Sequence, residues 1–380
     1  LKSAVAAAQA GDTITLCSDV TATEQILFAK NVTLDLNGYT LTSAYVLTGS
    51  GNARYAVAFD DGGKIIDSSA EGEKGALIVN NARAVTSNNK ALTIEGATIK
   101  VTSGMQSGNA VIGTTAGLIM KNSTIIGEFD GSYAVSSFGT TGTEEYDIEN
   151  SVIMAKTVGI YRNGSAGKFK MTVKDSKITV ASADENLAVY ISNNNSNNDT
   201  NHEVSFENCE ISGKTGIEAK YSNITLTNCK VTATGTPSYE QNNNGATASG
   251  FAVVITDNAT GEAKAKPVGK ITIISGDYTG MIGLENCADA KAHMDADTQT
   301  DAEISGGSFS TNVNAYTTDG YIAVESNGTY TVKKSDIQVN NTAQAVSTTV
   351  TLNGLEENLK TNHSDEFKHG EQAIFKTVID

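Results

Sequence analysis

Residues able to do chemistry are few in this chain, and they are scattered. Its 380 residues include four histidines (His202, His293, His363, His369), four cysteines (Cys17, Cys209, Cys229, Cys287) and three arginines (Arg54, Arg83, Arg162). No Ser/His/Asp arrangement is recognisable, no C-x-x-C occurs, and the Cys/His spacing fits no zinc template. Inverting glycoside hydrolysis needs an acid and a base carboxylate about 6.5–9.5 Å apart. The one Asp-Asp pair, Asp60-Asp61, precedes Gly62-Gly63 and reads as a solvated turn. Elimination on a uronate needs a base plus a cation against the carboxylate, and the arginines lie in separate segments with no acid cluster beside them. Asp295, Asp297, Asp301 and Glu303 alternate in HMDADTQTDAE, an oxygen-rich stretch that suits Ca²⁺. An EF-hand loop would need Gly and Glu where Thr300 and Gly306 stand, so a solvated loop is the expectation and no cofactor is required.

What must position these residues is a repeat. The pattern apolar, any, apolar, any, Gly/Asn/Asp, small, any, apolar recurs as LTIEGATI (92–99), LIMKNSTI (118–125), YDIENSVI (146–153), MTVKDSKI (171–178), VSFENCEI (204–211) and ITLTNCKV (224–231). Looser copies are LDLNGYTL (34–41), ITIISGDY (271–278) and AEISGGSF (302–309). The small column runs Ala97, Ser123, Ser151, Ser176, Cys209, Cys229, Gly276, Gly307, with steps of 26, 28, 25, 33, 20, 47 and 31; the step of 47 reads as two units. A second column, a small residue followed by an apolar one, lies between the copies: AVAF (56–59), AVTS (84–87), AVIG (110–113), AVSS (134–137), GIYR (159–162), AVYI (188–191), GIEA (216–219) and AVVI (252–255).

Period-two alternation in units too small to bury their own apolar face predicts stacked coils. The fold class is all-β, a parallel β-helix of about eleven coils, right-handed because same-direction crossovers favour that hand. Equivalent residues then stack about 4.8 Å apart. Asn208 lies over Asn228 in turns where Asn tolerates the left-handed conformation, and Cys209 lies over Cys229. That spacing is within disulfide range, but parallel Cβ vectors disfavour the bond, so a reduced stack is expected.

Strand parity supplies a binding candidate. If Val135, Ile160, Val189 and Ile217 point inward, then Ser136, Tyr161, Tyr190 and Glu218 point outward on consecutive coils. Tyr161 and Tyr190 then stack, with Arg162 at the adjacent turn and Glu218 one coil on, a platform for a sugar ring or a partner's apolar patch. The plainer alternative is that the stacked rings only stabilise the ladder. The long stretches 192–202, 256–270 and 285–301 are further candidates, each interrupting a coil at a related place.

The ends need covering. In LKSAVAAAQAGDTITL, Leu1, Ala4, Val5 and Ala8 share a helical face, Gly11 stops the helix and a strand starts at Thr13, which predicts an α-helical cap over 1–12. The β-helix then covers 13–334, and 335–380 reads as a C-terminal β-element or the start of a following domain. This opening, with VTLDLNGYTL (32–41), resembles the first coils of pectate-lyase-like right-handed β-helix proteins. ISGGSFSTNVNAYTTDGYIAVESNGTYTV (304–332) is similar to the closing segment of such helices in secreted surface proteins of Gram-positive gut bacteria. The resemblance implies a cell-surface context, and a family in which polysaccharide lyases and hydrolases are common. The Asn-Thr-Asp, Gly-His-Gly and Arg-Ile-Lys motifs that accompany the acid pair in the hydrolases are absent here.

The formal charge of −16 disfavours nucleic acid and anionic membrane surfaces, and no apolar run is long enough to span a bilayer. An opening at Leu1 reads as a segment of a larger secreted protein. The expectation is therefore a monomeric, extracellular, adhesin-like and non-enzymatic module that binds a host or bacterial surface glycan or protein. A carbohydrate-active enzyme, lyase or hydrolase, is the alternative.

Overall fold

In the computed structural model the chain is a parallel β-helix. The structure describes residues 1–335 apart from 47–48, 71–73, 104–108, 138–141, 165–167, 182–185, 194–201, 240–244, 257–268 and 286–300. Three long sheets form the wall: sheet A with eleven strands, sheet B with thirteen and sheet C with ten. The chain visits them in turn, as in Lys168–Lys174 (A), Lys177–Val180 (B) and Leu187–Asn193 (C), and each strand pairs in parallel with its counterpart one coil away. Inward side chains fill the lumen without a break, from Leu34 and Ile65 through Ile148 and Val173 to Ile271 and Ile304. Ring stacks such as Phe28–Phe59 (4.8 Å) and Tyr278–Phe309 (5.0 Å) run along the axis.

The corner between sheets A and B is the tight one, and its sequence explains it. Asn122, Asn150, Asp175, Asn208 and Asn228 have φ of +51°, +46°, +50°, +54° and +52°, the left-handed region that short polar side chains tolerate. Their amides ladder: Asn150 Nδ2 donates to Asn122 Oδ1 (2.6 Å), Asn208 Nδ2 to Asp175 Oδ1 (2.9 Å) and Asn228 Nδ2 to Asn208 Oδ1 (2.8 Å). The small residue after each turns inward. Ser151 receives the Ser123 N–H (3.2 Å) and Ser176 receives the Ser151 N–H (3.0 Å), so the column expected from the repeat is continuous. One expectation needs correcting. Cys229 pairs directly with Gly276, so the step of 47 is one coil carrying insertions, not two units. Gly276 has no room for a side chain, because a Cβ there would sit 2.1 Å from the Cys229 carbonyl oxygen.

Helix α1 (Lys2–Ala7) covers the first coil, with Leu1, Val5 and Ala8 packed against the core. At the far end sheet B turns antiparallel: Gly307–Phe309 pairs with Thr329–Lys334, which pairs with Tyr321–Ser326. That hairpin closes the sheet's last edge with a strand that cannot continue the coil. Residues 336–380 lie outside the described part.

Candidate functional site

The three outer faces differ. On sheet A, Glu95, Lys121, Glu149, Lys174 and Glu207 stand in one register column, with ion pairs Lys121–Glu149 (3.2 Å) and Lys174–Glu207 (3.0 Å). Exposed pairs of this kind contribute little and present a flat, self-neutralised surface. Sheet C is flanked on both sides by longer connections. Between sheets B and C the chain crosses 44–54, 104–108, 181–186 and 234–250, and between C and A it crosses 194–201, 257–268 and 286–300. Most of the three stretches singled out from sequence lies outside the described residues; the strand before each belongs to sheet C and the strand after it to sheet A.

On that outer face the tyrosines do stack, and the column is longer than sequence parity gave. Tyr133, Tyr161 and Tyr190 follow one another with ring centroids 4.8 and 5.0 Å apart and planes within 22° and 20°. Tyr133 was missed because it precedes the alternating core of its strand. Its register partner is Val158, and its ring reaches across to Tyr161. Tyr133 and Tyr161 are half-buried, whereas Tyr190 is fully buried. Asn163 donates Nδ2 to the Tyr161 hydroxyl at 2.9 Å. Burial pushes the Tyr161 phenol up, and burial with the nearby Glu218 pushes Tyr190 further. Two coils earlier the floor is Gly113, over which the Tyr55 hydroxyl lies. Arg83 donates Nη1 to that hydroxyl (3.2 Å), with its guanidinium 5.5 Å from the Tyr55 ring centre.

Three of the expected platform residues, Tyr190, Glu218 and Arg162, are not surface groups. Glu218 does leave the wall outward, but 0% of it is exposed. Its carboxylate receives the Thr247 N–H at both oxygens (2.8 and 3.1 Å), the Thr247 hydroxyl (2.8 Å), the Ala248 N–H (3.2 Å) and the Thr256 hydroxyl (3.0 Å), with Lys220 Nζ at 3.8 Å. It fastens a strap, closed by the short ladder Ser238–Tyr239 against Ala248–Ser249, onto sheet C. Arg162 is not at a turn either. Its strand runs on from Val158 to Gly164, so parity turns Arg162 into the lumen, 1% exposed. There Nε lies 3.0 Å from Glu144 Oε2, the guanidinium sits 5.3 Å from the Phe169 ring centre, and Ser137 Oγ donates to Glu144. His202, edge-on to Phe169 from the next coil, accepts the Phe169 N–H at Nδ1 (3.3 Å). Burial pushes the Glu144 carboxyl up, against the pull of Arg162 and Ser137. No sequence signal pointed to Glu144, since its partner comes from a different sheet.

Asp295 and Asp297 lie outside the described residues, and Asp301 opens the strand Asp301–Ile304. Among the described residues no group of three or more metal-ligating side chains converges, and no helix is long and apolar enough to cross a membrane. No protein-family model matches the chain, and no curated protein matches it.

Proposed function

We propose that this chain is a non-catalytic, extracellular binding module: a rigid β-helical rod that engages an extended ligand, a surface glycan or a protein, along the outer face of sheet C. What supports this most is the half-buried Tyr133–Tyr161 stack on the outer face of sheet C, continued by the buried Tyr190 ring. Binding residues favour loops and faces held by a rigid scaffold. Within the column the ring faces are used on one another, so a ligand meets the ring edges of Tyr133 and Tyr161 and the Asn163 amide rather than an open π face. Glu218, an acid rooted on this face, is buried and holds the strap.

A glycan array and a binding assay on intact bacterial and host cells, run with the protein and with Tyr161→Ala, test the reading. Binding that falls at least tenfold in the variant supports it; equal binding by both removes the tyrosine face as the site. Incubation with uronate polymers covers the enzymatic alternative, since new unsaturated ends would overturn the non-catalytic assignment.

A further inference from the structure

The two buried cysteines of the inward column stand apart from this surface. Ser123, Ser151 and Ser176 precede them in the same column, and each serine Oγ donates to the carbonyl two residues back, at 2.7, 2.7 and 2.6 Å. Cys209 and Cys229 repeat that arrangement with sulfur, donating to Glu207 O (3.3 Å) and Thr227 O (3.4 Å). Both are reduced, 2% and 1% exposed, and on adjacent coils, as the pairing Glu210 with Lys230 fixes. The neighbouring Cys229 thiol, with burial, pushes Cys209 up, while the Cys209 thiol holds Cys229 down.

Geometry separates two uses of such a pair. A disulfide needs Cβ atoms about 3.8 Å apart and sulfurs about 2.05 Å apart. Parallel side chains on successive coils stay near the ~4.8 Å strand spacing. A soft cation placed midway, with metal–sulfur bonds near the ~2.3 Å known for zinc thiolates, spans about 4.6 Å between two sulfurs in line. Thiolate ligands select soft ions such as Cu(I). We propose that Cys209 and Cys229 form a two-coordinate dithiolate site for a soft, thiophilic cation of the Cu(I) class. On binding, each thiol gives its proton to water and each sulfur gives a lone pair to the cation, with no change of oxidation state. The resulting Cu(I) bis-thiolate carries one negative charge. The residue before each cysteine, Asn208 or Asn228, is exposed, and the two are joined by an amide hydrogen bond.

The test uses the full chain carrying Cys17→Ser and Cys287→Ser, reduced and under argon, so that Cys209 and Cys229 are its only thiols. Cu(I) is supplied as its bicinchoninate complex. One equivalent should transfer, with X-ray absorption showing two sulfur neighbours. Adding Cys209→Ser or Cys229→Ser should abolish the transfer. Serine is what the neighbouring coils carry at this position, so these variants should retain the β-sheet circular dichroism. No transfer to the starting variant, transfer surviving either serine change, or a shell of more than two sulfur or nitrogen neighbours would overturn the proposal. Because the starting variant already isolates the pair, its own uptake and neighbour count decide the matter even if a serine variant fails to fold.

Discussion

Replacing Arg162 with Met leaves the Glu144 carboxylate alone inside the wall. Arg162 and Glu144 are 1% and 2% exposed, with 3.0 Å between the charged groups, so water cannot replace the lost partner. Removing one member of a buried pair costs about 3–5 kcal/mol, and the contact with Phe169 adds to the loss. Replacing both, as Arg162→Met with Glu144→Leu, removes the orphaned charge and should recover most of the stability. Coils of a repeat protein open in part rather than all at once, so a single melting temperature is a poor measure. Native-state hydrogen exchange is the better assay. The amides of strands Thr143–Glu149, Lys168–Lys174 and Leu187–Asn193 surround the pair. Their protection should fall by about 10²–10⁴-fold in Arg162→Met, following about 1.4 kcal/mol per decade, and return to within tenfold of the parent in the double variant. A fall of less than tenfold in the single variant would show that the pair is hydrated and would refute the reasoning.

Acidity should act in opposite directions at two carboxylates. Burial alone would raise Asp67, but N–H groups of Gly75, Gly38 and Ser69 and the Ser69 hydroxyl outweigh it and hold it below the usual value. Its contribution is present above the unfolded value of 3.8 and is lost as pH falls through the lower folded value, so Asp67→Asn should flatten the acid limb of a denaturant-midpoint profile. Glu144 is raised, so its contribution is fullest below 4.5 and is lost as pH rises through the folded value, and Glu144→Gln should remove that decline. Gly276→Ala combines φ of +127° with a Cβ 2.1 Å from a carbonyl oxygen, and should cost at least ~2 kcal/mol, read as a lower urea midpoint. Glu218→Ala removes the acceptor shared by Thr247, Ala248 and Thr256, so exchange at the Thr247 and Ala248 amides should rise by at least about tenfold, at ~1 kcal/mol or more per lost bond. Unchanged exchange there would mean that the strap is held elsewhere.

Local sequence carried the coil. Apolar alternation set which side of each strand enters the lumen, and an Asn or Asp before a small residue set the left-handed corner. Stacking therefore followed from spacing alone, as at Asn208 over Asn228 and Cys209 over Cys229. The insertion count did not follow, because a step of 47 residues has the same length as two coils and only strand pairing shows that Cys229 meets Gly276 directly. The candidate site was half legible for a related reason. Parity put Tyr161, Tyr190 and Glu218 on the outer side of the wall, and they are there. Alternation is silent on what lies over that outer side. The strap that buries Glu218 approaches from more than twenty-five residues away, through backbone N–H groups that any sequence possesses. Arg162 turned inward because its strand continues to Gly164 and because Glu144, on another sheet, supplies the charge that makes an arginine in the lumen tolerable. Period and turn chemistry are properties of neighbours along the chain, so the sequence determined the wall. Burial of a charge depends on groups brought together across coils and sheets, so only the tertiary structure decided which polar residues face a ligand and which hold the rod together.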